Sequence, residues 1–72
     1  MTITTFIKER LQEIGMTQTE LAIQLNTTRQ NLNNKMSRDN FSAKELSDIS
    51  KILDTELIVK DKSGKEYNIS YE

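Results

Sequence analysis

Between Arg29 and Lys35 the chain reads Arg-Gln-Asn-Leu-Asn-Asn-Lys. A short helix has little structural use for so much hydrogen-bonding capacity. Asn and Gln can each make two hydrogen bonds to adenine in the major groove of DNA, and Arg can do the same to guanine. A good bidentate pair is worth about 1–3 kcal/mol of discrimination between bases. Asn also forms helix less readily than Ala, Glu or Lys, so three Asn and one Gln in one short helix ask for an explanation. The apolar content of Arg29–Met36 is Leu32 and Met36, spaced i, i+4. A helix that only covers a core carries three or four apolar residues per two turns. The chemistry on offer is the reading of base edges. A polar surface helix or a protein-binding face would display the same residue types.

Other chemistries lack their residues. The 72-residue chain has no His and no Cys, so it lacks the commonest general base, the commonest metal ligand and any disulfide. Its glycines are Gly15 and Gly64, too few and too far apart for a phosphate-cradling loop. Glu20 and Glu45 are accounted for by helix capping. No catalysis, metal or cofactor is expected. No apolar run approaches the roughly 18 residues of a membrane span, and the first residues lack the basic-then-apolar layout of a signal peptide. A cytoplasmic protein of a reducing compartment is expected, of one small domain with no room for a separate effector domain. No small-molecule effector is evident.

The elements that would position Arg29–Met36 can be read on either side of it. Ile3, Ile7, Leu11 and Ile14 recur at helical spacing, which predicts a first helix from about Thr5 to Ile14, stopped by Gly15. Thr17-Gln18-Thr19-Glu20 is a capping box that opens a second helix, with Leu21, Ala22 and Leu25 on its inner stripe. Asn26 follows where a tight turn needs a left-handed residue, and Thr28 caps the third helix. The short Asn26-Thr27 connection sets the two helices at a sharp angle, the helix-turn-helix arrangement. Arg29 and Gln30 then occupy the exposed first turn of the third helix, with Asn33 and Asn34 one turn on. The starts of both helices, at Thr17-Gln18 and Thr28, suit phosphate oxygens through their free N–H groups. A further capping box, Ser42-Ala43-Lys44-Glu45, opens a fourth helix whose inner face is Leu46, Ile49 and Leu53.

After Asp54 the period changes from helical to alternating. Leu57–Lys60 and Lys65–Tyr71 read as strands of a hairpin around Lys62-Ser63-Gly64. The register that follows pairs Val59 with Tyr67 and Leu57 with Ile69 on one apolar face, and sets Lys60 opposite Glu66. The fold class is therefore mainly α: a four-helix bundle over residues 1–55 and a C-terminal β-hairpin over 56–72.

Net charge is −1, and the distribution is uneven. Met16–Arg38 holds one acid (Glu20) and three bases (Arg29, Lys35, Arg38), while the residues after Arg38 hold eight acids and five bases. The positive end coincides with the amide-rich helix.

The pattern Met16-Thr17-Gln18-Thr19-Glu20-Leu21-Ala22, then Asn26-Thr27-Thr28-Arg29-Gln30-Asn31-Leu32, resembles the helix-turn-helix of the phage repressor and Cro family, also called the Xre family. The likeness spans about Thr5–Leu53. It implies a lambda-repressor-like bundle that binds double-stranded operator DNA as a dimer and regulates transcription, most often as a repressor. By position, Gln18 matches a glutamine that contacts the phosphate backbone, and Arg29, Gln30 and Asn34 match positions that read base edges. Asn31 and Asn33 match positions that touch backbone or bases, and Lys35, Arg38 and Asn40 fall where the following loop meets phosphates. Four features depart from the family. Asn26 replaces the turn glycine, and Lys35 replaces a frequent apolar residue. Ser37–Phe41 lacks the loop glycine and proline, and a hairpin replaces the last helix of many members.

A two-stranded hairpin is marginal by itself. Leu57, Val59, Tyr67, Ile69 and Tyr71 give it an apolar face that either lies on the bundle of a monomer or joins a homodimer through the strands. The competing functional reading is a protein-interaction module on the same scaffold, an antagonist of another regulator that does not touch DNA, in keeping with a sequence pI near 5.4.

Overall fold

The computed structural model describes residues 1–71. It is mainly helical, with α1 (Ile3–Ile14), α2 (Gln18–Gln24), α3 (Arg29–Arg38) and α4 (Ala43–Ile52). A small antiparallel sheet follows, made of β1 (Ile58–Lys60) and β2 (Glu66–Asn68). Contacts group the chain into two compact units, one of Met1–Phe41 and one from Ser42 onward. The second unit holds α4 and the hairpin.

Each helix begins on a hydroxyl cap and ends on a left-handed residue. Thr2, Thr17, Thr28 and Ser42 accept the backbone N–H three residues on, and the Thr17 and Ser42 caps are reciprocated by Glu20 and Glu45. α1 thus starts two residues before the expected Thr5, because Thr2 takes the cap and Thr5 supplies the bonded N–H at 3.1 Å. At the far ends Gly15, Asn26, Asp39 and Asp54 have φ between 50° and 70°. The bond pair Asn26 N to Ile23 O and Thr27 N to Ala22 O closes α2 in a Schellman pattern. The same pair recurs at Asp39–Asn40 and at Asp54–Thr55. α3 therefore runs two residues past the expected Met36, to the left-handed Asp39.

In the first unit α2 packs against α3, and α1 against α3. Ile7, Leu11, Leu21, Ala22, Leu32 and Met36 are buried. Ala22 has no side chain beyond Cβ, which permits close helix approach. Ile14, expected on the inner stripe, lies exposed at the last position of α1.

In the second unit Ile49 and Leu53 are buried on and just after α4, together with the unexpected Ser47 and Ser50. The hairpin keeps the expected register, Val59 opposite Tyr67 and Lys60 opposite Glu66, with Ile69 N bonded to Leu57 O at 2.8 Å. Its loop closes by Asp61 N to Lys65 O at 2.9 Å, with Gly64 at φ 95°. Within the loop one oxygen of Asp61 accepts from Ser63 N, Ser63 Oγ and Lys65 N at 2.9, 2.7 and 3.0 Å.

The hairpin face is covered only at its base. Leu57 and Ile69 are half-buried, while Val59, Tyr67 and Tyr71 are 57, 46 and 42 % exposed. The Lys65 ammonium sits 5.0 Å from the centre of the Tyr67 ring, a cation–π contact on that outer surface. Lys60 and Glu66 face each other without forming an ion pair among the described residues; Lys60 instead passes over the turn, its Cε 3.9 Å from where a Cβ on Gly64 would lie. No helix among the described residues is long and apolar enough to cross a membrane.

Candidate nucleic-acid interface

The site is built on α3, which is held by its two apolar residues. Leu32 and Met36 are both buried, so the rest of the helix faces outward. Thr28 fixes its start: the threonine hydroxyl accepts from Asn31 N at 3.1 Å, in extended backbone at φ −93°. Accepting that bond leaves the hydroxyl proton available to an external acceptor.

Arg29, Gln30, Asn31, Asn33 and Asn34 are all exposed. Among the described residues their side chains make no hydrogen bond or ion pair within the chain. Ser37 Oγ bonds to the Asn34 backbone carbonyl at 3.0 Å, which leaves the Asn34 amide group unengaged. Arg29, Gln30 and Asn33 line one open cleft, so three of the four expected base-reading residues share a surface. Asn34 adjoins Asn33 and projects about 100° further round the helix.

The expected phosphate-contacting residues divide by what already binds them. Gln18, at the start of α2, is half-buried, and its side chain has no hydrogen bond among the described residues. Thr17 is different. Its hydroxyl accepts from Glu20 N at 3.1 Å and lies 3.1 Å from Glu20 Oε1, so both its accepting and donating capacity are engaged. Lys35, Arg38 and Asn40 are exposed at the end of α3, and Asn40 N closes the helix on Lys35 O at 3.0 Å.

Sequence reasoning missed Asp39. In the left-handed stop of α3, its Oδ1 accepts from Thr4 N at 2.8 Å and lies 2.9 Å from Thr4 Oγ1. The Thr4 hydroxyl is also 2.7 Å from Met36 O, so its one proton is shared between two acceptors. A carboxylate thus rests on the positive N-terminal turn of α1 and ties it to the C-terminal end of α3. The residues are 35 positions apart, and no local pattern announces the pair. Compared with known protein families, curated proteins and solved structures, the chain matches none.

Proposed function

We propose that this protein is a sequence-specific DNA-binding regulator of transcription, acting as a repressor, with α2, the Leu25–Thr28 connection and α3 forming a lambda-repressor-like helix-turn-helix. The observation that carries the reading is the row of amide and guanidinium side chains on α3, exposed and unspent on the chain's own hydrogen bonds. α3 enters the major groove. Arg29, Gln30, Asn33 and Asn34 read base edges, with the bidentate geometries that Arg, Asn and Gln allow. Gln18, Thr28, Asn31, Lys35, Arg38 and Asn40 meet phosphates, and Thr17 serves by capping α2 rather than through its own hydroxyl. Catalysis and cofactors have no part in this reading, and the cytoplasm is its setting.

The exposed Val59, Tyr67 and Tyr71, beside the half-buried Leu57 and Ile69, support a homodimer joined through the strands. Two copies of α3 would then sit about 34 Å or a multiple apart, matching one turn of DNA.

Selection of bound duplexes from a random library, read by sequencing, tests the reading; a defined motif is expected. On that motif, affinity falls linearly with salt on a log–log scale in proportion to the phosphates neutralised. Gln30→Ala relaxes base preference, whereas Lys35→Ala weakens all duplexes alike. If neither substitution alters duplex binding, the assignment of this surface fails. The acidic pI near 5.4 favours the protein-interaction module in that event.

A further inference from the structure

Ser47 and Ser50 lie three residues apart on α4 and are 3 and 7 % exposed. A serine hydroxyl inside a helix commonly bonds back to a carbonyl in the preceding turn, as Ser37 does to Asn34 O at 3.0 Å. Ser47 and Ser50 do not: neither hydroxyl has a partner among the described residues. Both residues line a cleft of about 320 Å³ between α4 and the base of the hairpin, and no side-chain oxygen among the described residues is both fully enclosed and unpartnered. That volume falls at the small end of ligand pockets, which span roughly 300–1,000 Å³.

We propose that this cleft binds a small uncharged amide carried on an apolar group about the size of one ring. Two neighbouring hydroxyls can donate to a carbonyl and accept from an N–H, a pairing that a primary amide completes with the C=O and the N–H on one of its edges. Leu57 and Ile69, half-buried on the hairpin side, supply the apolar wall. Lys51 and Glu56 stand at the lining with opposite charges, and the Lys51 ammonium already donates to Tyr71 O at 3.0 Å. The lining therefore carries no net charge to select an ion. Thr55 is also committed, its hydroxyl donating to Ser50 O at 3.2 Å. The site is independent of α3 and of the DNA-binding reading.

Titration of the full chain with benzamide, followed by amide nitrogen–proton NMR, tests the proposal, with benzoate and benzylammonium as charged probes of similar size. Saturable shifts are expected at the Ser47, Ser50, Leu57 and Ile69 amides with benzamide, and none with either ion. A Ser47→Ala, Ser50→Ala double variant keeps or raises Tm, since no internal bond is lost, and binds benzamide at least about tenfold more weakly through its two missing hydrogen bonds. Absence of saturable shifts at those amides, equal binding of a charged probe, undiminished binding by the double variant, or a lowered Tm in that variant overturns it.

Discussion

The fold asks nothing of the exposed Gln30 and Asn34 side chains, so their removal separates the proposed base reading from stability. Gln30→Ala and Asn34→Ala are each expected to change unfolding free energy by no more than about 0.5 kcal/mol, as for surface sites generally. Each is expected to remove about 1–3 kcal/mol of discrimination at one base pair. Competition binding against single-base operator variants, beside urea unfolding, measures both. Asp39 has the opposite character. Its bonds to Thr4 and its φ of 50° both serve the fold. Asp39→Ala removes the acceptor and, with it, the short polar side chain that eases the left-handed conformation; the expected cost is about 1–3 kcal/mol, chiefly that of a lost cap. Asp39→Asn retains an acceptor and a tolerated left-handed residue, and should recover most of that loss in the same unfolding experiment. The amide row was legible because it violated local helix preferences. Asp39 was not, because its meaning lies in a partner on α1.

Helices with hydroxyl starts and left-handed stops are legible from a few adjacent residues, which is why Thr17, Asn26, Thr28 and Ser42 fell where the sequence placed them. Boundaries slipped where two residues of one kind competed, as Thr2 and Thr5 did, or where an aspartate took a stop that glycine more often fills, as at Asp39. The hairpin register was legible because a period of two leaves one in-phase alternative once Gly64 fixes the loop. The place of Ser47 and Ser50 beside the hairpin base was not, since it depends on the chain returning to α4. Thr28→Ala is expected to cost about 1 kcal/mol by freeing the Asn31 N–H, readable as a lower Tm by circular dichroism. The hairpin turn has its own acid sensitivity. The Ser63 hydroxyl bond, then the Lys65 amide bond, hold the Asp61 carboxyl below its ordinary value of 3.8, against a smaller opposing effect of burial. The ionised form is the one the turn favours, so the contribution is complete above 3.8 and fades as pH falls through the lower folded value. The Ser63 and Lys65 amide resonances should stay fixed between neutral pH and about pH 5 and move only below 3.8, and Asp61→Asn should abolish that acid transition.

At the scale of the whole molecule, charge and association are linked. Three bases against one acid in Met16–Arg38, within a chain of net charge −1, concentrate attraction for a polyanion on one segment. Light scattering at micromolar concentration is expected to give twice the 8.3 kDa chain mass. Val59→Lys with Tyr67→Lys should return it to 8.3 kDa without loss of helical signal, because both side chains are already exposed. A mass of 8.3 kDa for the unaltered chain would end the dimer. Leu32, Met36 and the Thr28 cap anchor α3, and the framework asks nothing of Arg29, Gln30, Asn33 or Asn34. Under the proposed DNA-reading role, descendants of such a gene can exchange those four letters freely, singly or together, and acquire a new address on the chromosome while inheriting an undisturbed scaffold.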